Sequence, residues 1–513
     1  MEKNELTFGK NTVVSDISTE SGCDYTLPDY KTDVKKLLYT TACVLPSSSF
    51  PDSGEICSSG IVNYSVIYLD TENKVCGAEF SSDYDFSVKC AEEFESYFLD
   101  TALAAFSVRL VGPRKFTARA TLCSTLDLLT SELLEEEGDA FSAETERDIK
   151  RILCSKRRRF NAPERTLAEK LADFDGVIAD DLRVIYSAAK PKIHSAELTD
   201  SGIEVKGAVE VTVLAECAGL SPEIYKCAMP FEECLEQCAI ADGAHIFADG
   251  FVSSLRISVN PAEFGCNMTA DVIVEIFVTV TESDELALTV DAYSLKGESV
   301  AESRKITYER YIDSISDKIP TVATVARDAL SLSEAREIVF TDAKLKVDSV
   351  YVKDADIVFD GELRFFGIAS EPQGEGVGYV NFKHTLPVCK ILKAQGGLDD
   401  TAKIRCNAEV YDPKGLFDKD SVELSATVAL EISYGEMLCE RYISSLTFTD
   451  GEREEKRQSR ITVYYPAKGE TLFDVAKKFR TTVKDIAVNN SLSESVVSSG
   501  ASVGVCAKKL IIK

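Results

Sequence analysis

The 513-residue chain contains three histidines, His194, His245 and His384. Each is a group that could move a proton or hold a metal near neutral pH. His194 and His384 fall in or beside segments that read as strands, and a satisfied or surface imidazole accounts for them better than a base or a ligand does. Gly500-Ala501-Ser502-Val503-Gly504 matches the G-x-S-x-G nucleophile elbow. That elbow needs a strand, a sharp turn, a following helix and a later histidine. No histidine follows Gly504, so the match reads as chance. Cys234 and Cys238 are the closest pair among sixteen cysteines. On a helix they would stand one turn apart and could give a metal two ligands. No C-x-x-C and no second close pair accompanies them, so buried thiols are expected. A phosphate-binding P-loop and a G-x-G-x-x-G are both absent. Carboxylates abound, but no pair can be named as acid and base. These residues predict a protein that binds and does not catalyse, with no catalytic residue, no metal and no cofactor.

Charge narrows what it binds. With 57 Lys and Arg against 85 Asp and Glu the net charge is −28. So acidic a chain is a poor fit to nucleic acid or to an anionic membrane surface. A hydrophobic content of 45% is that of folded domains, and 513 residues exceed one ordinary core, which points to three or four domains. The polar start MEKNELTFGK lacks the apolar stretch of a signal peptide, and no run of about 18 apolar residues could span a bilayer. A cytoplasmic protein is expected.

The elements that position these residues emerge when the chain is laid on itself. KKLLYTTACVLPSS, LRVIYSAAKPKIHS and REIVFTDAKLKVDS share one pattern, with Tyr39, Tyr186 and Phe340 equivalent. The same offsets bring Gly60, Gly207 and Gly361 together, as well as Ile56, Ile203 and Ile357. Val62-Tyr64-Val66, Val209-Val211-Val213 and Leu363-Phe365-Gly367 follow, alternating with residues such as Asn63, Glu210 and Arg364. Period two with one apolar face is a half-buried strand, and a glycine inside it suggests a bulge or a close backbone approach. A third alternating run closes each unit: Phe116 to Leu122, Val272 to Val280 and Val422 to Ile432. The pattern predicts a mainly β protein with α additions: three tandem antiparallel sheet or sandwich modules at 26–130, 173–305 and 306–450.

Between the first two modules, 131–172 reads as a helical connector, from the spacing of Leu133-Leu134 and of Ile149-Ile152-Leu153. Its basic run Lys156-Arg157-Arg158-Arg159 could dock an acidic partner, but reads better as a solvated helix end or a partner for Glu135-Glu136-Glu137. A charged linker at 451–460 leads to a last module at 461–513. Ile461 to Tyr465 reads as a strand. Thr471 caps a helix with Leu472, Val475, Ala476 and Phe479 on one face, and Thr482 caps a second with Val483, Ile486 and Ala487. Val503 and Val505 belong to a closing strand, which completes a βααβ order.

Gly469-Glu470-Thr471-Leu472-Phe473, Asn490-x-Leu492 and Gly500 resemble the motifs of the LysM family, with Glu for Asp at 470, Ser499 before Gly500 and Cys506 where that family has prolines. The resemblance implies a shallow groove for N-acetylglucosamine polymers, formed here by Gly469, Glu470, Thr471, Leu472, Asn490, Ser491 and Leu492. LPDYKTDVKKLLY at 27–39, together with VKGAVEVTVLAE and MPFEECLEQC in the second unit, resembles the SPOCS domain. The whole order is similar to that of SPOCS–LysM spore-coat assembly proteins of clostridia. That likeness implies a non-enzymatic adaptor in the mother-cell cytoplasm, at the forespore surface. Its partner there would be the coat basement-layer ATPase (SpoIVA-like) or another coat protein. The alternative is a protein that binds peptidoglycan or chitooligosaccharide through the LysM module.

Overall fold

The computed structural model describes residues 4–90, 93–138, 145–217, 220–236, 240–241, 243–295, 297–373, 376–449, 461–492 and 509–512. The alternating runs form strands because β-branched and aromatic residues on one side of a pleat can all be buried at once. The first set comprises β1 (Asn4–Thr26), β2 (Val34–Asp52), β3 (Glu55–Asp70), β4 (Val75–Lys89), β5 (Ser96–Gly112) and β6 (Lys115–Gly138). The second comprises β7 (Thr145–Asn161), β8 (Arg165–Asp175), β9 (Leu182–Thr199), β10 (Gly202–Cys217), β11 (Glu223–Glu236), β12 (His245–Ala262) and β13 (Gly265–Ser294). The third comprises β14 (Glu298–Ala326), β15 (Glu337–Lys353), β16 (Asp356–Gln373), β17 (Gly376–Leu392), β18 (Lys403–Asp418) and β19 (Ser421–Thr449).

Strand pairing repeats three times. β2-β3-β4, β9-β10-β11 and β15-β16-β17 are antiparallel meanders. Facing each lies a second sheet in which the long last strand pairs on both sides: β6 with β1 and β5, β13 with β7, β8 and β12, and β19 with β14 and β18. The inner faces of the two sheets make each core. In the second unit Val209, Val211 and Val213 of the meander join the same cluster as Val272, Val274, Ile276 and Val278 of β13.

The three glycines hold one place in this pattern. Gly60 sits opposite Pro46, Gly207 opposite Ile193 and Gly361 opposite Val347, and each is followed in the register by a one-residue bulge, at Ser47, His194 and Asp348. A Cβ on Gly60 would lie 2.5 Å from the Leu45 carbonyl oxygen, and one on Gly207 would lie 2.6 Å from that of Lys192. No side chain fits so near a partner strand, which is why glycine stands there. A second bulge recurs at Leu38, Ile185 and Val339, all buried. It turns the following aromatic residues toward one another. Tyr39, Tyr186 and Phe340 meet with ring centroids 5.9 Å (Tyr39–Tyr186), 5.0 Å (Tyr39–Phe340) and 5.3 Å (Tyr186–Phe340) apart.

The units therefore close into a ring. The last strand of each meander touches the first strand of the next: β4 against β9, β11 against β15, and β17 against β2. A second shared cluster joins the far ends of the long hairpins, with Phe8 and Leu134 from the first unit, Ile152 and Leu288 from the second, and Ile306 and Tyr442 from the third.

The helical reading of 131–172 is overturned. Residues 131–138 continue β6, and 145–161 and 165–175 are β7 and β8, the first strands of the second unit; 139–144 lie outside the described residues. Within β7 the burial alternates, with Ile152 and Cys154 inside and Leu153 outside. Pairing along β13 from Phe277 to Ser294 overrides the helical preference of a Glu-, Lys- and Arg-rich stretch. The basic run consequently is no solvated helix end. Lys156 pairs with Asp284, Arg157 with Asp127 and Arg158 with Glu282, each at 2.6 Å. Cys234 likewise lies in the strand β11 and not on a helix; Cys238 is outside the described residues, as is the linker 451–460.

Candidate functional site

The C-terminal module is built from β20 (Thr462–Tyr464), α1 (Leu472–Phe479), α2 (Val483–Asn489) and β21 (Leu510–Ile512), with β20 and β21 antiparallel. Both caps form as their residue types require. Thr471 Oγ1 accepts from the Asp474 backbone N–H at 3.1 Å, and the Asp474 carboxylate accepts from the Thr471 N–H at 2.8 Å, a reciprocal capping box. Thr482 Oγ1 accepts from the Asp485 N–H at 2.9 Å. Leu472, Val475, Ala476, Ile486, Leu510 and Ile512 form the core. The strand that closes the module is thus Leu510–Ile512, in the segment beyond Cys506; Val503 and Val505, where a closing strand was expected, lie outside the described residues, as do Ser499, Gly500 and Cys506.

The seven expected groove residues divide by what they already do. Gly469 has φ +95° and is exposed, in a turn where the Glu470 N–H donates to the Ala467 carbonyl at 3.2 Å. The Glu470 carboxylate accepts from the Tyr464 hydroxyl at 2.9 Å and from the Ala467 N–H at 2.8 Å. Lys478 donates to that same hydroxyl at 2.9 Å, and the contact holds its ammonium above the usual lysine range. Thr471 is occupied as a cap, and Leu472 is buried. Asn490 clamps the closing strand: its Nδ2 donates to the carbonyls of Ile486 (2.8 Å) and Ile511 (2.9 Å), and its Oδ1 accepts from the Ile511 N–H at 2.7 Å. Ser491, at φ +54°, is exposed, and Leu492 packs on the core cluster that contains Leu472. The structure thus brings Leu472 and Leu492 into one cluster. Of the seven, Gly469 and Ser491 are the exposed ones.

A feature not read from the sequence is that the module is seated on the repeat body. Tyr293, at the end of β13, is 4% exposed and donates its hydroxyl proton to the Thr481 carbonyl at 2.6 Å. Its ring meets Phe473 at 5.2 Å, edge on. Lys477 pairs with Asp291 at 2.5 Å, and Arg480 approaches Glu298 at 3.8 Å. Acids gather beside this seat. Burial, with Asp291 and Asp474 nearby, raises the Asp148 carboxyl above its usual range, and burial with Asp485 nearby does the same for Glu146. The only sequence sign of the seat is that Phe473 and Lys477 stand four residues apart, on one face of α1.

Of the three histidines, His194 occupies the bulge of β9 and His384 pairs with Phe365 in β17. His245 stacks on Tyr311 at 5.3 Å, and burial lowers its pKa. No group of three or more metal-binding side chains stands together among the described residues, and no helix there is long and apolar enough to cross a membrane.

No curated protein and no solved structure matches the chain. Residues 467–502 match the family model of the LysM domain. With its capped helices, its paired outer strands and its Asn490 clamp in place, the C-terminal module is a LysM domain.

Proposed function

We propose that the chain is a non-enzymatic adaptor in which the ring of three units is a rigid mount and the LysM domain is the recognition element. The observation that supports this most is the seat of α1 on Tyr293. It fixes one side of the domain to the body, while Gly469 and Ser491 stay exposed. A mount of this kind holds a recognition surface at a defined orientation and does not merely tether it. The likeness to SPOCS–LysM proteins extends the proposal to spore-coat assembly in the mother-cell cytoplasm. There the chain joins the coat basement-layer ATPase, or another coat protein, to the forespore surface. A protein partner suits the site, since Glu470 and Asn490 already spend their polar atoms on internal hydrogen bonds.

The second reading is a glycan. LysM domains as a family bind N-acetylglucosamine polymers, and the match over 467–502 favours that ligand. Titrating the full chain with the basement-layer ATPase, and separately with an N-acetylglucosamine pentamer, distinguishes the two. Ser491→Arg is the better probe, because Leu492→Asp would put a charge into the domain core. The adaptor reading expects ATPase binding that Ser491→Arg abolishes, with no saturable pentamer binding below roughly millimolar. Micromolar pentamer binding that is lost in Ser491→Arg would establish the glycan instead.

A further inference from the structure

All three units contribute to one chamber of about 240 Å³ near the middle of the ring. Phe98 and Asp100 of β5, Arg159 of β7, Asp249 of β12, and Asn407 and Glu431 of the third unit are on its wall. The volume is several times the ~30 Å³ share of one water, and it approaches the lower end of small-molecule pockets.

Four arginines border the chamber, and three have partners of their own. Arg157 pairs with Asp127, Arg158 with Glu282, and Arg405 forks onto both oxygens of Glu309 at 2.7 and 2.8 Å. Arg159 differs. Its guanidinium lies between the rings of Phe98 and Phe277, 3.9 and 4.2 Å from their centroids, and among the described residues its side chain makes no ion pair and no hydrogen bond. The aromatic faces cover the flat sides of the cation, so its donors can act only at the edge. Its Nε is buried without an acceptor, and Asp249 and Asp100 stand near enough to favour its charge without a hydrogen bond, so the guanidinium keeps unused donors that the acceptors of a ligand can take up. We propose that the chamber binds a small organic oxyanion, a carboxylate or a phosphate monoester with a compact body, whose charged head bonds to the edge of Arg159.

The walls fit both parts of such a ligand. Tyr97, Phe98 and Phe247 offer apolar surface to a body, and a chamber of this size is too large for a bare inorganic ion. The acids nearby make binding depend on pH. Asp249 faces Arg159 of β7, Asp100 of β5 and Glu409 of β18, and burial pushes its carboxyl up to about 6. An arriving anion favours the protonated acid, so a proton is taken up with the ligand and binding weakens as pH rises through that value.

Isothermal titration of the full chain tests this, with benzoate and phenyl phosphate as the two oxyanion probes and benzamidine as the cationic control. Expected is saturable binding of at least one anion at pH 5.5, about tenfold weaker at pH 8, and none of benzamidine. Arg159→Gln is expected to weaken binding at least about tenfold. If circular dichroism shows that this variant does not fold, Asn407→Leu, which narrows the chamber from the opposite unit, is expected to do the same. No saturable binding of either anion at pH 5.5, saturable benzamidine binding in their place, or anion affinity unchanged in a folded variant would each overturn the proposal.

Discussion

Tyr293→Ala should detach the LysM domain from the ring while leaving both folded. The ring of Tyr293 is 4% exposed and meets Phe473, and its hydroxyl donates to the Thr481 carbonyl. Truncating a buried aromatic residue costs about 3–5 kcal/mol, which includes roughly 1 kcal/mol for the hydrogen bond. The remaining ties are weaker. Lys477–Asp291 and Arg480–Glu298 are exposed ion pairs, with lysine and arginine side chains 44% and 51% accessible, and pairs of that kind contribute about 0–1 kcal/mol each. Losing about 3.5 kcal/mol lowers the ratio of seated to free domain roughly 300-fold. Hydrogen exchange reads this directly: the Tyr293 end of β13 and the outer face of α1 lose protection, while the amides between α1 and α2 keep theirs. Small-angle scattering should show a larger radius of gyration. The seat should also tighten in acid. The raised carboxyls of Asp148 and Glu146 bind protons more readily when the domain is seated, so seating is strongest at low pH and weakens as pH rises through their raised values. Two results would refute the reasoning: wild-type protection and size in Tyr293→Ala, or collapse of α1 and α2 along with the seat. The second would make Tyr293 a part of the domain's own core.

Three further outcomes follow from the ring. Phe340→Ala should cost about 3–5 kcal/mol in urea unfolding; because Phe340 packs on both Tyr39 and Tyr186, all three units should lose stability together and not the third alone. Gly207→Val should lower the yield of folded protein sharply, measured by soluble expression and melting temperature, since a Cβ there meets the Lys192 carbonyl at 2.6 Å and the Phe231 ring at 2.5 Å. Asp249→Asn should stabilise the protein by up to about 3 kcal/mol at pH 7.5 and by little at pH 4. The wild-type carboxyl, raised to about 6, holds its proton in the folded state, so the native fold loses stability as pH climbs from about 4 to 6, and the amide is exempt.

The alternation of apolar residues made the meanders legible, and the shared offsets made their threefold repetition legible, down to the glycine and the aromatic residue of each. The LysM caps were legible because Thr471 and Thr482 announce them through local hydrogen bonds. β7 was not. Its partner β13 lies more than a hundred residues away, and its outward face is charged, so local spacing favoured a helix until the pairing decided otherwise. The strand Leu510–Ile512 was hidden for a related reason, being three residues long and dependent on Asn490 for its place. The seat on Tyr293 and the chamber around Arg159 are products of tertiary packing, and no spacing along the chain encodes them.

The cyclic contact of β4 with β9, β11 with β15, and β17 with β2 has a consequence for how such a gene can change. An open solenoid gains or loses a repeat at little cost, since each copy touches only its neighbours in a row. Here the copy number is frozen. Excising the middle unit would leave a wedge with two raw strand faces and the central aromatic residues bared to water, and such a wedge heals most readily by trading segments with another molecule. Insertion of a fourth copy would have no place to close. Divergence is therefore confined to the rim, where three units of one pattern are free to become three different surfaces on a hub that must stay the same.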